Sequence, residues 1–262
     1  MSLTLKIENG ESEILARNTK EDNVCLVYKA AYNPGDAIVL EVEKANVYLF
    51  VQFEDSMTPA FIYMAGLSHK MLIPFFEKRV SYSPKSFAGE IHLLTARYAE
   101  EKEIAAYKNL ALNPFDCHEN KCLFPHSSAN AETRGEAVFA ARNAIDGIYA
   151  NSGHGIWPYQ SWGINLDPDA EMKIAFGRPV KTNKAVLVTR ADFPHDSWWT
   201  EATLLFSDGS FVCFPLRKTA EPQAVEFASR ECEWVVLKKL IKAGDESPFP
   251  ALSQIEVWGT EA

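Results

Sequence analysis

Two stretches of this 262-residue chain carry the side chains from which a binding site would be built. Residues 151–163 hold His154, Trp157, Tyr159 and Trp162 among glycines, a proline and amides. Residues 190–199 hold Arg190, Asp192, His195, Asp196 and Trp199. Flat aromatic faces suit the C–H patch of a sugar ring, and planar donors and acceptors suit its hydroxyls. Trp157, Tyr159, Trp162 and Trp199 are the stacking candidates. His154, Arg190, Asp192, His195 and Asp196 are the hydrogen-bonding candidates. Each has a plainer reading. Arg190 beside Asp192 or Asp196 is also the pattern of a structural ion pair, because a buried charge needs a partner. Of Trp198 and Trp199, neighbours on a strand, one faces inward when the other faces outward. A histidine set among glycine, proline and polar residues serves equally well as a hydrogen-bonded structural group.

Charge and motifs narrow the function classes. Lys+Arg 26 against Asp+Glu 35 gives a net charge of -9. Such a chain has no phosphate-tracking surface, so neither nucleic acid nor an anionic membrane is an expected partner, whereas a neutral sugar is compatible. No nucleophile elbow, phosphate-cradling glycine loop or His-Glu-x-x-His motif occurs. Asp192, His195 and Asp196 form the one cluster suited to acid–base work, which keeps a sugar-processing enzyme open as an alternative. Paired carboxylates recruited from different strands are invisible at this level. Cys117, His118, Cys122 and His126 are zinc-ligand types, but no second pair stands at the expected distance, so they read as linker thiols without metal. The five cysteines (Cys25, Cys117, Cys122, Cys213, Cys232) mostly interrupt hydrophobic runs and read as reduced, buried thiols. With no secretory signal and no apolar run of bilayer length, the expected location is cytoplasmic.

The elements that must position these residues are strands. The expected fold class is all-β, with two β-sandwich (jelly-roll) domains and a short helix before the linker between them. In the first domain, residues 1–112, a turn at Pro34-Gly35 leads to strands at 37–42, 46–53, 61–64, 71–76 and 90–97. Residues 100–110 read as the helix, with Ile104, Tyr107 and Leu110 on one face. Asn113-Pro114 breaks it and opens a polar linker at 113–125. The second domain, 126–262, has strands at 185–189, 203–207, 210–214, 225–227, 234–237 and 254–259, with Asp208-Gly209 as a two-residue hairpin turn. Short strands without long intervening helices mean a sandwich or jelly roll.

The order of features in the second domain resembles the discoidin, or coagulation-factor type C, family of galactose-binding-like sandwiches. The residues that carry the resemblance are 141–147, ending in Asp146-Gly147; 174–180, a strand with a turn at Pro179; Arg190-Ala191-Asp192; the hairpin at 206–210; and 249–259, ending in Val257-Trp258-Gly259. The resemblance implies a recognition module whose loops at one end take the ligand, commonly a sugar and in other members a lipid head group or a protein. It also implies that the Arg after the strand often pairs internally and that a nearby Trp packs in the core. A structural calcium near the Asp-Gly loop is implied too, with Asp146 and Glu256 at matching positions. The chain departs from the pattern by placing Ile148 directly after Asp146-Gly147, where relatives have Asn, so Asn151 would have to substitute. No other cofactor is required. Fold does not settle function. The expectation is therefore a non-catalytic carbohydrate-binding protein. The enzyme stands as one alternative, and a structural or assembly module with covered loops as the other. Homo-oligomerisation is left open.

Overall fold

The computed structural model describes all residues except 152, 154 and 192–196. The regular structure of the chain is mostly strand, and its buried residues form two hydrophobic cores.

The first core lies between two antiparallel sheets. One is built from β1 (Ser2–Glu8), β2 (Ile14–Glu21), β4 (Ala37–Val42) and β7 (Ser68–Leu72), in the order β2-β1-β4-β7. The other has β3 (Asn23–Tyr28), β5 (Val47–Gln52), β6 (Ala60–Met64) and β8 (His92–Tyr98). The strands alternate as a half-buried sheet should: in β3, Val24, Leu26 and Tyr28 are buried while their neighbours face solvent. A sandwich was expected here and is found, with three strands ahead of the Pro34-Gly35 turn for which the sequence reading had no assignment. Pro74 lies beyond β7, which ends at Leu72, as the absence of a proline N–H requires.

The expected helix is shorter than its periodicity suggests. α1 covers Glu101–Ala105 only, closed at its start by a capping box between Glu100 and Glu103. The chain then extends into β9 (Lys108–Asn109), which pairs with the last strand of the second domain. Leu110 is therefore buried in the second core instead of completing a helical face. The segment expected as a linker, 113–125, is packed structure. Phe115 and Leu123 belong to the first core, and β10 (Leu123–Phe124) adds an edge to the second N-terminal sheet, giving β10-β6-β5-β8-β3. The connection runs into the second domain, back into the first and out again. Such a path ties the domains together twice.

The second domain is a single eight-stranded antiparallel sheet folded around its own core. It comprises β9 and β11 (His126–Ala129), β12 (Trp162–Gly163), β13 (Met172–Thr189), β14 (Trp199–Phe206), β15 (Phe211–Pro215), β16 (Gln223–Lys242) and β17 (Ala251–Glu261). β13 is 18 residues long. Its first part pairs with β11 and β16, its second with β16 and β17, and the register breaks between Ala175 and Val180. A break of that kind lets one strand change partners across the sandwich. The Asp208-Gly209 hairpin forms as expected: Gly209 sits at φ +84° and Leu205 faces Phe211. Gly259 matters for a different reason, since a Cβ there would stand 1.9 Å from the Lys181 carbonyl oxygen. No helix among the described residues is long and apolar enough to cross a membrane.

The cysteines do not match the expectation of buried thiols. Cys232 alone of the five is buried; Cys25 and Cys213 are exposed. Both sit on outward-facing positions of strands whose other face is core, an orientation that a hydrophobic run does not reveal.

Candidate functional site

Arg190 follows directly on β13 and is buried to 1% exposure. Its backbone N–H donates to the Ala251 carbonyl at the start of β17. Its guanidinium donates to the carbonyl oxygens of Tyr159 and of Gly153, the latter at 2.6 Å. The guanidinium thus ties Gly153 and Tyr159 to the end of β13, and the Arg190 backbone ties that end to the start of β17. Arg190, which opens the second polar-aromatic segment, is thereby bonded to Gly153 and Tyr159 of the first. A guanidinium is suited to this, because its planar fork bonds several fixed acceptors at once.

The aromatic candidates divide. Trp157 and Tyr159 are half-buried; Tyr159 is tied to Arg190 through its carbonyl, whereas Trp157 lines a cavity between the two domains. Burial raises the Tyr159 phenol above its usual pKa, with Glu136 adding to the effect and Arg190 opposing it. Trp162 and Trp199 are not available for stacking. They are 0% and 1% exposed and belong to the second core, with the Trp162 indole donating to the Ala131 carbonyl at 2.9 Å. Trp198, half-exposed, takes the outward position instead. The reason is a register break. Ala202, Leu204 and Phe206 face inward on β14, and simple alternation from them would also turn residue 198 inward. The pairing of β14 with β16 shifts between Trp199 and Glu201 and again between Glu201 and Thr203, so the parity changes. His154, Asp192, His195 and Asp196 lie outside the described residues.

A concavity of about 320 Å³ opens nearby, and Ala251, whose carbonyl receives the Arg190 N–H, lines it. Its other walls include Arg134, Phe139, Asn165, Leu166 and Phe249. Arg134, Asn165 and Leu166 all have left-handed backbones, at φ 54°, 52° and 61°. Asn accepts this readily, while a branched side chain such as Leu166 does so at a cost of about 1–2 kcal/mol. The conformation is held by cross-bonds: Asn165 Oδ1 accepts from the Arg134 N–H at 3.2 Å, and Thr133 Oγ1 from the Asn165 N–H at 3.0 Å. Leu166 and Phe249 leave apolar surface exposed, and Arg134 stands over the Phe139 ring while paired with Glu136. No sequence signal singled these residues out. They come from three separate loops and none sits in an aromatic-rich run.

Two of the residues assigned to the expected calcium, Asp146 and Glu256, are engaged in hydrogen bonds within the chain. Asp146 Oδ1 accepts from the Ile148 N–H at 2.8 Å and from the Gln254 amide at 2.6 Å, and Oδ2 accepts from the Gln160 amide at 3.0 Å. Gln254 also accepts from the Gly147 N–H, so its carboxamide closes the Asp-Gly loop by itself. Glu256 is held by the Tyr149 hydroxyl and the Trp258 indole. Both carboxylates thus already have N–H or O–H partners within the chain. Asn151, the third residue assigned, is half-buried, and nothing in this hydrogen-bond network links it to Asp146 or Glu256. Among the described residues no group of three His, Cys, Asp or Glu is arranged to hold a metal. Burial pushes the Asp146 carboxyl up to about 6, outweighing the amide donors that favour its charged form. The Cys117–His126 stretch is likewise occupied elsewhere. His118 pairs with Glu132 at 2.8 Å, His126 with Asp116 at 2.7 Å, and the Cys122 thiol lies against the Ser68 carbonyl.

No family model matches the chain, and no curated protein matches it. Among solved structures it is similar to chitosan-binding module 1 from the chitosanase/glucanase of Paenibacillus sp. IK-5, at 18% identity and a TM-score of 0.41 over 58% of this chain and 99% of that one. It is similar to the lectin domain of lectinolysin complexed with Lewis B antigen, at 17% identity and a TM-score of 0.42 over 59% of this chain and 98% of that one. It is also similar to the family 32 carbohydrate-binding module of C. perfringens NanJ in complex with galactose, at 16% identity and a TM-score of 0.39, covering 50% of this chain and 91% of that one.

Proposed function

We propose that this protein is a non-catalytic carbohydrate-binding protein that takes a sugar at the loop end of its C-terminal sandwich. The observation that carries the reading is the position of Arg190. By bonding Gly153, Tyr159 and Ala251 it gathers the polar-aromatic loops beside a concavity with aromatic and amide walls. Sugar rings need a face to stack on and fixed polar groups around it; Phe249, Arg134 and Asn165 supply these from the concavity, with Tyr159 on the adjoining loop. His154, Asp192, His195 and Asp196 complete the proposed set from the sequence. The ligand is a neutral glycan, in keeping with the acidic chain.

A glycan array with the intact protein tests this, with Lewis b and galactose as the first neutral probes and chitosan oligosaccharides, which carry amines, as the charged contrast. Tyr159→Ala and His195→Ala are expected to weaken binding at least about tenfold, the loss of one or two buried contacts, while leaving the urea midpoint unchanged. Chelator is expected to change nothing, since Asp146 and Glu256 are already bonded. Binding that vanishes with chelator would reinstate the cation and overturn the assignment of these two carboxylates. Release of a reducing sugar from any glycan on the array would replace the binding reading with an enzymatic one.

A further inference from the structure

A second cavity, of about 250 Å³, lies between the two domains. The N-terminal domain contributes Ser56, Met57 and Thr58 from the turn after β5, and Ser81, Tyr82, Ser83 and Ser86 from the loop before β8. The C-terminal domain contributes Arg142, Asp146, Ile148 and Trp157. Ser86 is fully buried and its hydroxyl pairs with that of Ser56 at 2.8 Å. Two further polar atoms on the wall, the Ser81 hydroxyl and the Trp157 indole N–H, are buried without a hydrogen-bond partner among the described residues. Ser81 is itself only 2% exposed. Buried donors and acceptors left this way cost free energy until something bonds them.

The charges on the wall say what that something is. The Arg142 guanidinium spends its donors on the carbonyls of Asp116 and Pro114 and on Asn143 Oδ1, and lies over the Tyr82 ring. Asp146 is enclosed by amide donors from Gln160 and Gln254. Both charges thus have close partners within the chain, and three of the five Arg142 N–H donors are used. What remains is a cluster of hydroxyls, an indole N–H and the apolar sides of Met57, Ile148 and Trp157. We propose that this chamber is a second ligand site, for a small neutral polyhydroxy molecule of the size of a free monosaccharide. Pockets at domain interfaces with apolar walls and a few convergent polar groups are of this kind. The site goes beyond the loop-end reading and is independent of it, and it gives the N-terminal domain a direct part in recognition.

Isothermal titration of the full chain tests it, with glucose, galactose, mannose, fucose and xylitol as neutral probes and glucuronate and glucosamine as charged ones. At least one neutral probe is expected to bind, and the charged probes at least about tenfold more weakly, because Arg142 and Asp146 are already bonded to neighbours. Ser86→Leu, which fills the chamber, and Thr58→Trp, an exposed change at its mouth, are each expected to weaken that binding at least about tenfold. Thr58→Trp tests the chamber even if Ser86→Leu impairs folding. Tyr159→Ala at the loop end is expected to leave it unchanged. The proposal is overturned if no neutral probe binds, if binding survives Thr58→Trp and any folded Ser86→Leu protein, if Tyr159→Ala abolishes it, or if glucuronate or glucosamine binds equally well.

Discussion

Replacing Arg178 with alanine is expected to destabilise the protein by about 3–5 kcal/mol and to split its urea unfolding into two transitions. Arg178 is 7% exposed, and its guanidinium bonds both carboxylate oxygens of Glu261 at 2.6 Å and the Phe176 carbonyl at 2.8 Å. It also lies against the rings of Tyr48 and Tyr63, with centroids at 5.3 and 5.0 Å, and Tyr48 donates to Glu261 at 3.0 Å. The tyrosines belong to the first domain and Arg178 and Glu261 to the second, so this is the clasp between them. Removing Arg178 takes the bidentate partner from the partly buried Glu261, leaving it only Lys108 Nζ at 3.5 Å and the Tyr48 hydroxyl, and it also empties the space beside the two tyrosine rings. Lysine at 178 is expected to recover less than half of the loss, because an ammonium neither forks nor stacks in the same way. A cost below about 1 kcal/mol for Arg178→Ala, the range of solvated surface pairs, would show that the clasp does not hold the domains.

The second large effect is expected at Glu54, which is 1% exposed. It accepts from the Phe87 N–H at 3.0 Å, and His92 Nδ1 stands 3.6 Å away, too far for a hydrogen bond. Burial pushes the Glu54 carboxyl up to about 7, with Asp55 adding to it, and burial lowers the His92 imidazole. Both groups are thus driven toward their neutral forms. For Glu54 the folded value lies above the ordinary 4.5, so the native state keeps a proton that the unfolded chain has released. The corresponding stability is full below pH 4.5 and is lost as pH rises through 7, about 3 kcal/mol in all. Glu54→Gln keeps the acceptor and removes the titration. Its urea-derived stability is expected to match that of the unmodified chain at pH 4 and to exceed it by up to about 3 kcal/mol at pH 8. Parallel responses of the two proteins across that range would place the ionised carboxylate in a solvated setting and contradict the burial argument. Asp146, raised to about 6, contributes in the same direction in both proteins and cancels from the comparison.

Much of the fold was legible because sheet residues alternate. The runs at 37–42 and 47–52 and the Asp208-Gly209 hairpin follow from β-branched and aromatic alternation and from a turn that needs a left-handed glycine. The stretch at 100–110 misled because Ile104, Tyr107 and Leu110 have helical spacing, yet each meets a different neighbour. Tyr107 stacks on Trp258 and bonds Asn183, while Leu110 enters the second core. Tertiary pairing with β17 overrode local periodicity. The aromatic candidates failed in part for a related reason. Which of Trp198 and Trp199 faces out depends on register breaks in β14, and no count along the chain reveals those.

From its residues alone this chain is β-rich, acidic, divided near its middle and equipped with two polar-aromatic loops, since these follow from composition and from patterns a few residues long. Only the tertiary structure decided that Arg190 bonds Gly153 and Tyr159, that Trp162 and Trp199 belong to the core, and that Gln254 bonds both Asp146 and the Gly147 N–H. It alone set the Ser56–Ser86 hydroxyls opposite Trp157 across a domain boundary. The physical reason is sequence distance: these contacts join residues tens to a hundred positions apart, and their energies depend on burial and on which donors remain to be satisfied.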